Sequence, residues 1–121
     1  MTNGEDEMDE KDCIFCKIVR KEMDSKVVYE DDEVFAFEDI NGRAPVHVLV
    51  VPRQHVANLE EIGELPDAVA KHLFEVASTV AEQLGVTEGG YAVRINNGRD
   101  AGQEVFHLHL HVIGGKKLGM P

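Results

Sequence analysis

The chain has 121 residues, a length that allows one small globular domain with a hydrophobic core and no need for disulfide bonds. Its 23 acidic residues outnumber its 12 basic residues, and the formal net charge is −11. Because nucleic-acid-binding proteins neutralise phosphates with Lys and Arg, this charge argues against nucleic acid as a partner. No apolar run approaches the ~20 residues of a membrane helix, so a membrane partner is not expected either.

The first twelve residues carry six acidic side chains and no hydrophobic periodicity, which predicts a disordered acidic tail over residues 1–12. A secretory signal would instead begin with basic residues and continue with apolar ones. We therefore expect a cytoplasmic protein. In that reducing compartment, Cys13 and Cys16 are expected to be a metal-binding pair or free thiols rather than a disulfide.

The next part of the chain has the pattern of β-strands. Short β-branched and aromatic runs at residues 27–29 and 34–38, separated by acidic residues, predict a β-hairpin with an acidic turn. The apolar run at residues 46–51 is ended by Pro52, which cannot continue the hydrogen bonding of a central strand. This run is predicted to be a buried strand.

A long amphipathic helix is predicted between residues 65 and 84, where apolar residues recur every three or four positions. Pro66 suits the first turn of this helix, and Gly85 suits its end. His72 lies beside this apolar stripe and is expected to face solvent.

The last third of the chain is predicted to form two strands joined by a loop. Residues 91–96 alternate as in a half-buried strand, and the following segment, which includes Arg99, has the composition of a flexible loop. A final strand is predicted over residues 104–113, where two glycines end it. The order of elements, without repeats, predicts an α+β fold with a mainly antiparallel sheet.

The final predicted strand contains three alternating histidines, His107, His109 and His111, separated by Leu108 and Leu110. In an extended strand the three imidazoles would share one face at a spacing of roughly 7 Å, so at most two could share a metal ion. Three interpretations are open: the polar half of an ordinary strand, a metal site, or nucleophilic and acid-base chemistry, for which imidazole is suited near pH 7.

The segment His107-Leu108-His109-Leu110-His111-Val112-Ile113 resembles the His-x-His-x-His-x-x signature of the histidine-triad (HIT) superfamily of nucleotide hydrolases and transferases. Further segments resemble motifs of the same family, and they lie at residues 14–18, 36–40, 44–52 and 102–107. The triad is followed by two glycines, and this resembles the histidine-triad nucleotide-binding branch, whose members hydrolyse purine nucleoside phosphoramidates. The dinucleoside-polyphosphate hydrolases usually have Pro-Arg there.

The resemblance implies a single HIT domain over residues 13–121, with a mainly antiparallel five-stranded sheet, one long helix and a short N-terminal helix. It also implies hydrolysis of the P–N bond of AMP- or GMP-linked amines, with no cofactor required for catalysis. In this interpretation His109 attacks phosphorus, and His111 donates a hydrogen bond to a phosphate oxygen or to the leaving group. His107 orients its neighbour or binds a metal ion, and His47 supports the active site.

The same resemblance implies the residues that hold the nucleotide. Asp39 would accept hydrogen bonds from the ribose hydroxyls, although a turn-forming role is the alternative, and Asn96 would reach the phosphate or the ribose. The apolar residues that would enclose the purine, unless they are ordinary core, are Ile14, Phe15, Ile18, Phe37 and Ile40. The loop residues that would face the phosphate are Gly102, Gln103, Glu104 and Val105. Glu104 departs from many relatives, which carry Ser at that position.

A structural zinc ion is also implied by the resemblance. Some relatives combine a Cys pair with the His of a Pro-x-x-His segment and with the first His of the triad. The matching residues here are Cys13, Cys16, His55 and His107. The alternative is a pair of buried free cysteines.

The expected partners are a purine nucleoside monophosphate or its phosphoramidates and, from the family, a second copy of the chain in a homodimer. Two other functions stay open. Hydrolysis of dinucleoside polyphosphates or nucleotidyl transfer would use the same residues with another leaving group. A non-catalytic nucleotide- or zinc-binding interaction module would use the site for binding alone.

Overall fold

A computed structural model of the chain describes residues 12–119, which form a five-stranded sheet with helices on both of its faces. The predicted acidic tail lies outside these residues, apart from Asp12. The helices and strands are α1 (Ile14–Val19), β1 (Val27–Glu30), β2 (Val34–Glu38), β3 (Val46–Pro52), α2 (Asp67–Gln83), β4 (Tyr91–Arg94) and β5 (Leu110–Gly114). Two short 3₁₀ helices span Leu59–Glu64 and Arg99–Ala101.

The strand order is β1-β2-β3-β5-β4, and every neighbouring pair is antiparallel. The predicted α+β class, the five-stranded antiparallel sheet, the long helix and the short N-terminal helix are therefore confirmed. Within residues 12–119, no helix has the length and apolar character needed to cross a membrane.

Strands β2 and β3, two of the three interior strands, are buried on both faces. This burial explains why their sequences are continuous apolar runs. Val34 and Ala36 of β2 pack in a core against α2, whereas Phe35 and Phe37 point to the opposite face and pack against α1. The same alternation in β3 divides its residues between the two cores. The sheet therefore separates a larger core under α2 from a smaller core under α1.

The predicted helix is confirmed as α2, with small differences at its ends. The residues that it buries at helical spacing include Val69, Leu73, Val76 and Val80. Pro66 precedes the first turn as the N-cap, and the preceding 3₁₀ helix was not predicted. The expectation that His72 faces solvent holds only in part, because its side chain is 27% exposed and its Nε2 lies 2.7 Å from the Asp31 carboxylate on the β1–β2 turn.

The final strand is shorter than predicted, because it begins at Leu110 rather than at residue 104. Its partner β3 ends at Pro52, which has no N–H group with which to extend the ladder. Leu108 instead donates its backbone N–H to the Val56 carbonyl oxygen at 2.8 Å. The alternation still holds for Leu108, Leu110 and Val112, which all enter the core under α2. His107, however, lies before the first residue of β5, and its ring packs against Phe15 of α1.

The edge strand β4 also ends earlier than predicted, at Arg94. Tyr91 and Ile95 pack against the core under α2, but Val93 is 42% exposed at this edge of the sheet. The predicted half-buried pattern therefore holds at two of its three apolar positions.

Candidate functional site

A cleft of about 1010 Å³ lies on the side of the sheet that α1 partly covers. This volume is at the upper end of the range of about 300–1,000 Å³ for small-molecule pockets. Most of the residues that were predicted to bind the nucleotide or to form the active site line this cleft. They are Ile14, Phe15, Ile18, Phe37, Asp39, Ile40, His47, Asn96, Gly102, Glu104, Val105, His109 and His111. Gln103 and His107 are not part of the lining formed by residues 12–119.

The middle histidine of the triad is buried and held by its own backbone. His109 Nδ1 lies 2.7 Å from the His107 carbonyl oxygen, so Nδ1 carries the proton and donates it to that oxygen. In the neutral ring the lone pair is therefore on Nε2. The ring of Phe15 packs edge-on against the imidazole, with 5.1 Å between the centroids.

A chain of hydrogen bonds determines the tautomer of the third histidine. The backbone N–H of Arg43 donates to His47 Nδ1 at 3.1 Å, so the proton of neutral His47 lies on Nε2. His47 Nε2 lies 2.9 Å from His111 Nδ1 and donates to it. His111 consequently carries its own proton on Nε2, which is the hydrogen-bond donor that it can offer to the cleft.

All three of these histidines are held in the neutral form. Burial lowers the pKa of His47 and of His109 below the ordinary value, although Asp39 opposes the shift at His47 and the His107 carbonyl opposes it at His109. Burial, together with the neighbouring imidazoles of His109 and His47, lowers the pKa of His111 to about 4. At neutral pH the site therefore offers an unprotonated Nε2 on His109 and an N–H group on His111.

Asp39 follows β2 and has both of the roles considered for it within reach. Its Oδ1 accepts the backbone N–H of Asn41 at 2.8 Å, which is the turn-forming role. Its Oδ2 lies 3.5 Å from His47 Nε2, at the margin of the cleft. The side chain is 21% exposed, so this oxygen can accept a hydrogen bond from a ligand.

The five apolar residues expected at the purine all line the cleft, but their environments differ. Phe15, Ile18 and Phe37 are buried and belong to the core under α1 as well as to the cleft wall. Ile40 is 91% exposed, and Ile14 is 37% exposed. Two exposed aliphatic side chains at a cleft are available to cover a flat ring.

The loop after β4 is held in place by side-chain amides. The Gln103 side chain accepts the Gly98 N–H at 2.8 Å and donates to the Ala57 and Val105 carbonyl oxygens at 2.8 and 3.1 Å. Gln103 is thus turned into the protein, whereas Gly102, with a φ of 83° that favours glycine, lines the cleft. The Asn96 side chain spans the loop by donating to the Ala101 carbonyl oxygen at 2.6 Å.

The four residues of the expected zinc site lie together on the other side of Phe15, and they could hold a metal ion. Their ligand atoms all lie within 4.8 Å of one another, and the group consists of Cys13, Cys16, His55 and His107. Cys13 is the N-cap of α1, so the helix places both thiols one turn apart. His55 follows β3, and His107 precedes β5.

The distances fit tetrahedral coordination. With zinc–sulfur bonds near 2.3 Å and zinc–nitrogen bonds near 2.0 Å, ligand atoms in a tetrahedral site are about 3.3–3.8 Å apart. His107 Nδ1 lies 3.4 Å from Cys13 Sγ and 3.5 Å from Cys16 Sγ, and His55 Nδ1 lies 3.3 Å from Cys16 Sγ. His107 also donates its Nε2–H to the Pro52 carbonyl oxygen at 2.7 Å, which directs the Nδ1 lone pair toward the thiols.

The ionisation of Cys13 also suits a metal ligand. Burial opposes ionisation of this thiol, yet hydrogen bonds with His107, with His55 and with the Cys16 N–H lower its pKa to about 5. The thiolate is the form that binds zinc.

A second group of potential ligands, Asp39, His47 and His111, also has its ligand atoms within 4.8 Å of one another. The hydrogen bonds argue against a metal ion there, because the Arg43 N–H fixes the proton of His47 on the nitrogen that faces the other two residues. This group is therefore a hydrogen-bond relay.

The cleft also contains charged residues that the sequence did not identify. Arg94 of β4 lies opposite His111 in the β4–β5 ladder, and Arg43 and the C-terminal segment 116–119 join the lining. Arg99, in the loop after β4, is not among the described residues that line the cleft. With the β4–β5 register known, the alternation of side chains along β4 would have placed Arg94 opposite His111.

Comparisons with known proteins agree with this geometry. The family model described as HIT domain matches residues 20–118. The chain is 39% identical to the purine nucleoside phosphoramidase of Escherichia coli, over 90% of this chain and 92% of that protein. It is 46% identical to a HIT-like protein of Synechococcus elongatus, over 92% of this chain and 96% of the relative.

A solved structure of a HIT family hydrolase from Clostridium thermocellum matches with a TM-score of 0.87 and 46% identity, covering 92% of this chain and 96% of the other. The family model spans most of the chain, and it includes the three histidines that line the cleft, His47, His109 and His111. The chain therefore belongs to the histidine-triad (HIT) family.

Proposed function

We propose that the protein is a nucleotide-binding hydrolase that cleaves the P–N bond of purine nucleoside phosphoramidates through a nucleotidyl intermediate on His109. The observation that carries this proposal is the 2.7 Å hydrogen bond from His109 Nδ1 to the His107 carbonyl oxygen, which leaves a nucleophilic lone pair on Nε2. The name of the Escherichia coli relative, purine nucleoside phosphoramidase, supports the substrate class.

In the first step His109 Nε2 attacks the α-phosphorus and forms a P–N bond. The bond from phosphorus to the substrate nitrogen breaks, and this nitrogen, protonated from solvent, leaves as the free amine. The imidazole becomes positively charged, and the His107 carbonyl stabilises this charge through the Nδ1–H hydrogen bond. Neutral His109 is a competent nucleophile because burial lowers its pKa.

In the second step water attacks the same phosphorus, the bond to His109 breaks, and the nucleoside monophosphate is released while a proton passes to solvent. His111 donates its Nε2–H to the phosphate oxygens, on which charge concentrates in both steps. Asp39 accepts hydrogen bonds from the ribose hydroxyls, and Ile14 and Ile40 cover the purine. Asn96, Gly102, Glu104 and Val105 surround the phosphate, whereas Gln103 holds their loop in place from inside the protein.

Release of AMP from adenosine 5′-phosphoramidate tests the proposal. We expect His109→Ala to lower the rate by roughly 1,000-fold or more, because the variant loses its nucleophile. His72→Ala is the matched control, since His72 lies on α2 outside the cleft lining. Equal rates for wild type and His109→Ala would contradict the proposal.

Two measurements separate the alternative functions. Comparing turnover of the phosphoramidate with that of a diadenosine polyphosphate distinguishes a phosphoramidase from a polyphosphate hydrolase or nucleotidyl transferase. A non-catalytic binding module would bind AMP without forming a covalent intermediate. Trapping nucleotidyl-histidine by rapid quenching would exclude that alternative.

We propose that the Cys13, Cys16, His55 and His107 cluster binds a structural zinc ion. The ligand separations of 3.3–3.5 Å and the hydrogen bond from His107 to Pro52 support it. When bound, zinc would supply a cross-link between α1, the segment after β3 and the segment before β5, and catalysis would not depend on its chemistry.

Metal analysis of protein purified without added metal tests the zinc proposal. We expect about one zinc ion per wild-type chain and a loss of most of it in Cys16→Ser, because the variant has only three ligands. Wild-type protein without zinc would contradict the proposal.

We also propose that the protein works in the cytoplasm as a homodimer. The exposed Val93 on the edge strand β4 supports an association surface, and Cys13 and Cys16, which are not joined by a disulfide, suit a reducing compartment. Light scattering coupled to size-exclusion chromatography tests the dimer, and a monomer at micromolar concentration would contradict it.

A further inference from the structure

The proposed zinc site and the proposed nucleotide site share two short segments. In the segment of α1 and its N-cap, Cys13 and Cys16 belong to the metal cluster, whereas Ile14, Phe15 and Ile18 line the cleft. In the segment before β5, the ring of His107 belongs to the metal cluster, and its carbonyl oxygen holds the imidazole of His109. A change in the position of either segment therefore affects both sites.

Phe15 is the side chain that touches both sites. It lies between the two cysteines in sequence and is 7% exposed. Its ring centroid lies 5.1 Å from that of His109, with the planes at 85°, and 6.1 Å from that of His107. Edge-to-face packing of this kind restricts rotation of the imidazole. Phe15 thus packs against the rings of both histidines, one from each proposed site.

The helix that carries Phe15 is short and depends on its contacts. It has six residues, fewer than the ~12–15 at which isolated helices become even marginally stable. Its N-terminal turn is closed by the hydrogen bond from the Cys16 N–H to Cys13 Sγ at 3.3 Å. A metal ion bound by both thiols, His55 and His107 would attach this turn to two other segments of the chain. Metal binding would therefore order the wall of the cleft that carries Phe15.

We propose that Phe15 is a positioning residue that couples the Cys₂His₂ cluster to the nucleotide site, so that zinc and purine nucleotide bind with positive cooperativity. This inference rests on the proposed zinc and nucleotide sites. Each ligand orders the same helix and the same His107–His109 segment, so the ligand that binds first removes part of the entropic cost for the second. Thermodynamic linkage requires the effect to be equal in both directions.

The primary test is a pair of binding measurements on the wild-type chain. The affinity for AMP is measured by titration calorimetry with the zinc-loaded protein, freed of excess metal, and with protein treated with a chelator. We expect about tenfold tighter binding with zinc, within the roughly 5- to 150-fold range of coupled sites. Competition with a chromophoric chelator should show that saturating AMP raises the zinc affinity by the same factor.

A variant pair shows whether Phe15 transmits the effect. Phe15→Leu keeps an apolar side chain but removes the ring, and we expect it to bind zinc while its AMP affinity becomes nearly independent of zinc. Phe35→Leu is the matched control. Phe35 belongs to the same core, contacts Phe37, Lys21 and Arg53 through its ring, and is not among the described residues of the cleft lining. This control should keep the tenfold difference.

The outcomes are distinguishable. Equal AMP affinities in the two wild-type preparations, when both zinc and AMP bind, would overturn the coupling and leave both proposed sites standing. Protein that binds AMP but takes up no zinc would overturn the zinc site and the coupling together. A tenfold difference that persists in Phe15→Leu would overturn the role of Phe15.

Discussion

The backbone N–H of Arg43 donates a hydrogen bond to His47 Nδ1 at 3.1 Å, so the proton of the neutral His47 ring lies on Nε2. That single contact determines the tautomer of His111, whose Nδ1 accepts from His47 at 2.9 Å. A neutral imidazole has one donor and one acceptor, so fixing one nitrogen fixes the other. His47 is therefore a positioning residue, which acts on the proposed chemistry through His111.

Removing the imidazole of His47 should lower kcat while leaving AMP affinity close to that of wild type. We expect His47→Ala to lose between about 10- and 100-fold in kcat, less than the 10²–10⁴ typical of a group that itself transfers the proton. Steady-state turnover and calorimetric AMP binding together test this expectation.

His47→Gln is the matched variant, because the side-chain amide can donate a hydrogen bond from near the position of Nε2. We expect it to recover part of the lost kcat. An alanine variant with wild-type kcat, or a glutamine variant no better than alanine, would contradict the positioning role.

At the scale of elements, one contact joins the tip of the β1–β2 hairpin to α2. The Asp31 carboxylate accepts hydrogen bonds from Tyr29 Oη and from His72 Nε2, each at 2.7 Å, and His72 Nδ1 lies 3.0 Å from Glu75. Hydrogen bonding to Asp31 and to Glu75 raises the pKa of His72 above its ordinary value. Partial burial would raise the pKa of Asp31, but hydrogen bonds from His72, Tyr29 and the backbone lower it.

This contact should make stability depend on pH. The raised pKa of His72 gives a contribution that is complete below about pH 6.5 and is lost as the pH rises through the folded-state pKa. The lowered pKa of Asp31 gives a contribution that is present above about pH 4 and is lost in acid. The hairpin and α2 are therefore held together most strongly between about pH 4 and 6.5.

We expect His72→Gln to reduce the free energy of unfolding by about 0.5–1 kcal/mol at pH 5.5, as for a partly exposed ion pair, and by less at pH 8.5. Urea denaturation at the two pH values measures the difference. Lys71→Gln, at an adjacent exposed position of α2, is the control and should show a smaller change with pH. A loss for His72→Gln that is equal at both pH values would contradict the assignment.

The elements themselves were largely predictable. The limits of β2 and the buried stripe of α2 agree with the patterns of residues 34–38 and 65–84, because burial of one helical face imposes its period on the sequence. The start of β5 was not predictable from alternation, which continues through residues 107–109 although the ladder has already ended. What ends that ladder is Pro52, in another strand.

At the scale of the whole molecule, the negative charge is compensated locally at the cleft. The chain carries a net charge of −11, but the lining contains equal numbers of basic and acidic side chains, apart from histidine. The basic ones are Arg43, Arg94, Lys116 and Lys117, and the acidic ones are Asp24, Glu38, Asp39 and Glu104. A nucleotide bound at the cleft as proposed would therefore meet donors at short range and repulsion from the rest of the surface at long range.

This distribution predicts that salt accelerates nucleotide association. AMP carries a charge of about −1.5 to −2 at pH 7, and the screening length falls from about 30 Å at 10 mM salt to about 8 Å at 150 mM. We expect the association rate of AMP to rise about two- to fivefold over this range in stopped-flow measurements. Uncharged adenosine is the control and should show no such rise. Slower association of AMP at higher salt would indicate that the basic residues of the lining dominate its approach.

The sequence by itself determined the α+β class, the antiparallel sheet, the long helix and the family resemblance, because these depend on local periodicity and on short motifs. The family resemblance also predicted most of the residues that line the cleft and the four residues of the metal cluster, but not the hydrogen bonds that hold them. Only the tertiary structure shows how His107 is oriented, because its Nε2 donates to the Pro52 carbonyl oxygen of another strand and its Nδ1 lies 3.4 Å from Cys13 Sγ. The tautomers, the inward-facing Gln103 and the shared contact of Phe15 depend on atoms brought together from distant parts of the chain, and local patterns do not encode such contacts.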